Sequence, residues 1–83
     1  MRRPIASIDG VKVQMFYNDH APAHFHATLA RDEVPIAIGS LGVIRGALPS
    51  SRLRRVLAWA RENRDALALN WIKCQEEQPP EKL

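Results

Sequence analysis

The apolar residues of this chain change period once, and that change limits the fold more than any other feature. Up to about Gly46 they alternate with polar residues, as on a half-buried strand. Val11, Val13, Met15 and Tyr17 alternate with Lys12, Gln14, Phe16 and Asn18. Phe25, Ala27 and Leu29 then alternate with His24, His26 and Thr28, and Val34, Ile36 and Ile38 with Pro35, Ala37 and Gly39. After Pro49 the spacing becomes helical: Leu53, Val56, Leu57 and Ala60 recur every three or four positions, with Trp59 on the shoulder of the stripe.

Turn residues divide these runs. Asp9-Gly10 suits a two-residue hairpin turn with positive φ, joining a short run over Pro4 to Ile8 to the strand from Val11. Asn18 to Ala23 reads as a loop, since Asn-Asp favours a turn and Pro22 biases Ala21 away from helical geometry. Ala30 to Glu33 reads as a polar turn, and Gly39 to Gly42 as a tight turn into a last short strand, Val43 to Arg45. Pro35 cannot donate to a ladder, which puts its strand at an edge or that position outward. Pro49-Ser50-Ser51 supplies a helix start. Asn63 is read as the cap of a second helix, with a single bent helix as the alternative. In that second helix Leu67, Trp71 and Cys74 share a face that Leu69 and Ile72 widen. The expected architecture is α+β: an antiparallel meander of four to five short strands, then two C-terminal helices packed on one face. Trp59 and Trp71 are expected to join helices to sheet as core aromatics. One domain over residues 1–76 and a disordered tail over 77–83 complete the expectation.

Composition narrows the class. The 83 residues are 46% hydrophobic and 25% charged, the balance of a soluble globular domain. No apolar run approaches the roughly 20 residues a membrane helix needs, and no secretory signal follows Met1-Arg2-Arg3-Pro4. A cytoplasmic location is expected, and the single Cys74, which excludes an internal disulfide, agrees with it. The net charge of +3 is unevenly placed: Arg52, Arg54, Arg55, Arg61 and Arg64 face one acid, Glu62, between Ser50 and Arg64. Such a helix can lie against phosphate or a carboxylate-rich partner; a solvated helix face is the plainer reading.

Side-chain chemistry concentrates in Tyr17 to Ala27, which holds all three histidines. If Phe25, Ala27 and Leu29 face the core, His24 and His26 project together from the opposite face, their α-carbons roughly 6.5 Å apart. Two such imidazoles can converge on one ion, with His20 or Asp19 folding over as a third ligand. His20, His24 and His26 are thus the candidate metal ligands, and a divalent transition metal such as zinc is the candidate cofactor. Without a metal, His24 and His26 could act as general base and acid on a phosphodiester. Here His20 stands in reserve, Asp19 orients a ring, and Arg45 or Arg52 clamps phosphate. A non-catalytic surface for protein or nucleic acid would use Asn18, Asp19 and the histidines with Arg52 and Arg55. In the plainest reading Asn18 and Asp19 cap the turn, His20 closes it, and the histidine face packs against the helices or a second copy of the chain, a homodimer. For Asp19 alone, turn capping is the favoured role.

The pattern Phe16-x-Asn18-Asp19-His20-x-Pro22-x-His24-Phe25-His26-Ala27, then Gly46-x-Leu48-Pro49 and a Trp on each helix, resembles a family of small bacterial proteins, the domain of unknown function DUF4160. The resemblance runs from about Ile5 to Trp71. Ala23 stands where the family commonly has a second proline. No activity comes with the resemblance. Family members are often encoded beside another small domain, in pairs that look like toxin–antitoxin modules. The resemblance therefore implies a small protein partner encoded nearby and admits an RNA or DNA target.

Overall fold

The computed structural model describes residues 4–83. Four strands precede two helices: β1 (Ala6–Ile8), β2 (Val11–Gln14), β3 (His24–Leu29), β4 (Asp32–Ala37), α1 (Ser50–Glu62) and α2 (Arg64–Gln75). The strands form one antiparallel meander in the order β1-β2-β3-β4, so the α+β reading holds. No helix among the described residues is long and apolar enough to cross a membrane.

The first hairpin follows from Asp9-Gly10, whose φ angles of 51° and 82° are those the tight turn demands. The second hairpin is tighter than expected. Leu29 pairs with Asp32, so Ala30 and Arg31 alone make the turn, with Ala30 at φ 55°, and β4 starts at Asp32 rather than Val34. β2 ends at Gln14, which leaves Tyr17 beyond the sheet and exposed. The expected strand over Val43 to Arg45 contracts to one bridge, Val43 to Ile36. The turn that precedes it seats Gly42 O on Ala37 N–H and Ile44 N–H on Pro35 O, and the chain then leaves the sheet.

Pro35 is tolerated for a geometric reason. In a strand the N and C=O of one residue point the same way. Because Pro35 O accepts from Ile44, on the outer side of the edge strand, its nitrogen also faces outward, where no ladder bond to β3 is lost.

Cross-strand register places Val13, Ala27 and Val34, and likewise Phe25 and Ile36, on one face. Val56 and Ala60 of α1 and Leu67 and Cys74 of α2 complete the core on that side, and all of these residues are fully buried or nearly so. Trp59 is half-buried and meets Phe25 edge-on at 6.2 Å, as expected of an aromatic joining helix to sheet. Trp71 takes a different place and lies against His24.

Asn63 separates the helices, but its side chain serves the first one. Its Nδ2–H donates to Trp59 O at 2.9 Å, and no side-chain bond caps α2. The last carbonyls of α1 lie within reach of the amide, and Trp59 O accepts from both the backbone and the side chain of Asn63. Leu69 and Ile72 do not widen the buried face of α2; both are exposed. The helix meets the sheet through the narrower stripe Leu67, Trp71 and Cys74. Within that stripe the buried Asn70 takes the C-terminal segment instead of apolar neighbours. Asn70 Nδ2–H donates to Glu81 O at 2.9 Å, and Oδ1 accepts from Glu81 N–H at 2.7 Å, a two-point clamp on the backbone. Residues 77–83, for which the sequence predicts disorder, carry no regular element yet make these bonds, an ion pair from Glu81 to Lys73, and a bond from Leu83 N–H to Ile5 O.

Candidate metal centre

The loop between β2 and β3 and the first half of β3 build the site. Phe25 points into the core with no exposed surface, so strand alternation sends His24 and His26 to the opposite face together. Their rings lie 5.0 Å apart, edge to face. The common side expected from the sequence is present, but the rings are covered: their side chains are only 8% and 9% exposed. The ring of Trp71 lies 5.2 Å from that of His24, and Phe16 stacks at 4.3 Å on His26. Asp19 closes over the top.

Asp19 reaches this position because the C-terminal end of α2 holds the loop. Asn18 N–H bonds Cys74 O at 3.3 Å and its Nδ2–H bonds Glu77 Oε2 at 2.8 Å, while Gln75 Nε2–H bonds Asp19 O at 2.9 Å. Asn18 adopts φ 57°, a left-handed conformation that asparagine tolerates better than most residues. The peptide bond between Ala21 and Pro22 is cis. The carboxylate then divides its work. Oδ1 accepts the backbone N–H of His20 at 3.0 Å, which is the local turn bond expected of it. Oδ2 lies 2.9 Å from His24 Nε2 and 3.1 Å from His26 Nε2.

Three ligand atoms, one from each of Asp19, His24 and His26, therefore lie within 4.8 Å of one another. Around a tetrahedral ion with bonds of about 2.0–2.1 Å, donor atoms sit about 3.3 Å apart. The two nitrogen–oxygen separations would open by a few tenths of an ångström to admit one, and the two rings would draw together from their wider spacing. The second ring nitrogen of His24 strengthens the fit. Its Nδ1 is 2.7 Å from Pro22 O, and a carbonyl only accepts, so Nδ1 carries hydrogen and Nε2 is the nitrogen left to meet a cation or a carboxylate. With a carboxylate facing that nitrogen, the ring is satisfied either as an imidazolium or with a cation between Nε2 and Asp19.

Burial by itself would raise the Asp19 carboxyl. Hydrogen bonds from His26 and the His20 backbone, with the charge of His24 and a bond from its ring, outweigh burial and hold the carboxyl below its ordinary value. Burial alone pushes the Cys74 thiol up, which keeps it an inert packing group.

The other sequence-derived candidates stand apart from this cluster. His20 follows Asp19 but its side chain is 94% exposed, with Nδ1 3.6 Å from Asp19 Oδ1, and it does not join the other two histidines. Asn18 serves the loop. Arg52 and Arg55 gather on Asp9 at the first hairpin turn, and Arg45 is exposed on the segment after Val43. Trp71 and Phe16 wall the site, a role that residue type alone does not signal. The alternation of β2 places Phe16 on the same face as Gln14, which pairs with His26, and that was the available signal.

The fold and this cluster define a small α+β domain organised around a histidine–carboxylate constellation. The chain belongs to the family described as a domain of unknown function, DUF4160, whose family model matches residues 10–72. Comparison with curated proteins and with solved structures gives no match.

Proposed function

We propose that this protein is a small metal-binding domain in which Asp19, His24 and His26 hold one divalent transition-metal ion, zinc being the natural occupant for such a donor set. One observation carries the reading: two imidazole Nε2 atoms converge on the same carboxylate oxygen, and the far nitrogen of His24 is already fixed by a backbone carbonyl. Three protein ligands leave a tetrahedral ion one position for water, which the ion would acidify. That is the chemistry a metal-dependent hydrolase uses.

The metal-free acid–base reading receives less support. It needs both rings open to a phosphodiester, yet both are covered and both Nε2 atoms face Asp19, while the Arg52 clamp lies with Asp9. A toxin–antitoxin partner and a nucleic-acid target rest on the family resemblance and on the exposed arginines of α1.

Protein purified without an affinity tag should carry close to one equivalent of zinc or a related ion by elemental analysis. After stripping with chelator, zinc at a hundred times its Kd should stabilise the fold by about 2.7 kcal/mol. For a chain of this size that corresponds to a rise in Tm of about 10 °C or more. His24→Ala should abolish the rise. No bound metal and no thermal response to zinc or cobalt would overturn the assignment.

A further inference from the structure

The two histidines differ at their far nitrogens. Pro22 O takes Nδ1 of His24, but Nδ1 of His26 is buried without a hydrogen-bond partner, and so is Thr28 Oγ1, two residues further along the same strand face. A buried, unpaired nitrogen and hydroxyl on one strand face call for an acceptor that can approach them. One stands beside them. Glu33 is the direct cross-strand partner of Thr28, and it shares a face with Pro35, the partner of His26. Its Oε1 lies 3.6 Å from His26 Nδ1, outside hydrogen-bond range by less than an ångström, on a side chain that is half exposed and so able to move.

We propose that Glu33 is the positioning residue of the site, an inference that rests on the metal reading above. When Nε2 of His26 binds the ion, Nδ1 must carry hydrogen. Glu33 then closes onto it through Oε1, while its other oxygen takes the Thr28 hydroxyl. One side-chain movement satisfies both orphaned atoms, fixes the tautomer and ring plane of His26, and raises its basicity toward the metal. The charges balance as well. With both imidazoles neutral, the two carboxylates of Asp19 and Glu33 match a dication.

The test uses the full chain and cobalt(II), whose visible absorption reports coordination, titrated in competition with a chelator. Glu33→Ala should weaken cobalt binding about 10- to 100-fold, as expected for loss of an outer-shell partner. Glu33→Gln, which keeps an acceptor but not the charge, should fall between it and the unmodified protein. In the cobalt-free state all three should melt together, which separates positioning from folding. With zinc bound, an exchange-protected His26 Nδ1 proton should appear in NMR spectra and vanish in Glu33→Ala. Unchanged cobalt affinity in Glu33→Ala overturns the role of Glu33 and leaves the metal site standing. Failure of the unmodified protein to bind cobalt or zinc overturns both.

Discussion

Two aspartates in this protein each face two basic side chains, and they illustrate opposite physics. Asp9, at the first hairpin turn, meets Arg55 at 3.0 Å and Arg52 at 4.0 Å, and Arg52 also donates to its backbone carbonyl. All three side chains are well exposed, so water screens the charges and the cluster contributes little beyond holding α1 against the turn. Asp19 meets two imidazoles at similar distances, but its side chain is only 16% exposed and theirs are covered by Trp71 and Phe16. There each polar atom has to be satisfied from within the site, and a missing partner leaves another group stranded. One carboxylate between two basic side chains is surface decoration in one place and a covered cluster in the other. Burial makes the difference.

Removing each carboxylate should expose that contrast. Asp19→Ala strands two covered imidazoles and should lower metal-free stability by about 2–3 kcal/mol, measured by denaturant unfolding, besides abolishing metal uptake. A loss below about 0.5 kcal/mol would show that the cluster is as well solvated as the Asp9 group. A smaller change is expected on acidification. The Asp19 carboxyl is held below its ordinary value of 3.8 in the folded protein, so its contribution is fully present above that pH and is lost as pH falls through the folded value. Metal-free protein should therefore lose stability below about pH 4, and Asp19→Asn should flatten that acid limb; an unchanged limb would locate the acid sensitivity elsewhere. The smallest effect belongs to Asp9→Asn, which preserves the turn preference. It should cost at most about 0.5 kcal/mol, and the cost should disappear in high salt. A loss comparable to that of Asp19→Ala would remove the contrast.

Most of the fold was legible because its signals are local. Asp9-Gly10 dictates a turn from its own backbone preferences, and the single change of period around Gly46 to Pro49 separates sheet from helices. The limits of that legibility are specific. The Val43 to Arg45 strand failed to extend because only one pairing position remains before the chain leaves β4. Asn63 caps the preceding helix because the carbonyl its amide reaches, that of Trp59, is behind it. Within the site, the shared side of His24 and His26 followed from Phe25, whose burial leaves the strand no choice. The separation of Asp19 from His20 did not follow. Which of two adjacent loop residues turns inward is set by bonds to Cys74, Gln75 and Glu77, more than fifty positions away, and no local pattern encodes them. Trp71 reads as a plain core aromatic for the same reason: helical spacing gives its face, but not that the face meets an imidazole.

The outward imide nitrogen of Pro35 carries one more consequence. Along the second half of β4, Pro35 is chemically unable to donate on its outer side, while its carbonyl and both backbone groups of Ala37 are taken by residues 41–44; near the start of β1, Leu83 N–H occupies the carbonyl of Ile5. A foreign strand approaching that end of β4 finds few groups with which to register. A meander this short could otherwise template fibril growth; here the chain's own turn covers the second half of that edge.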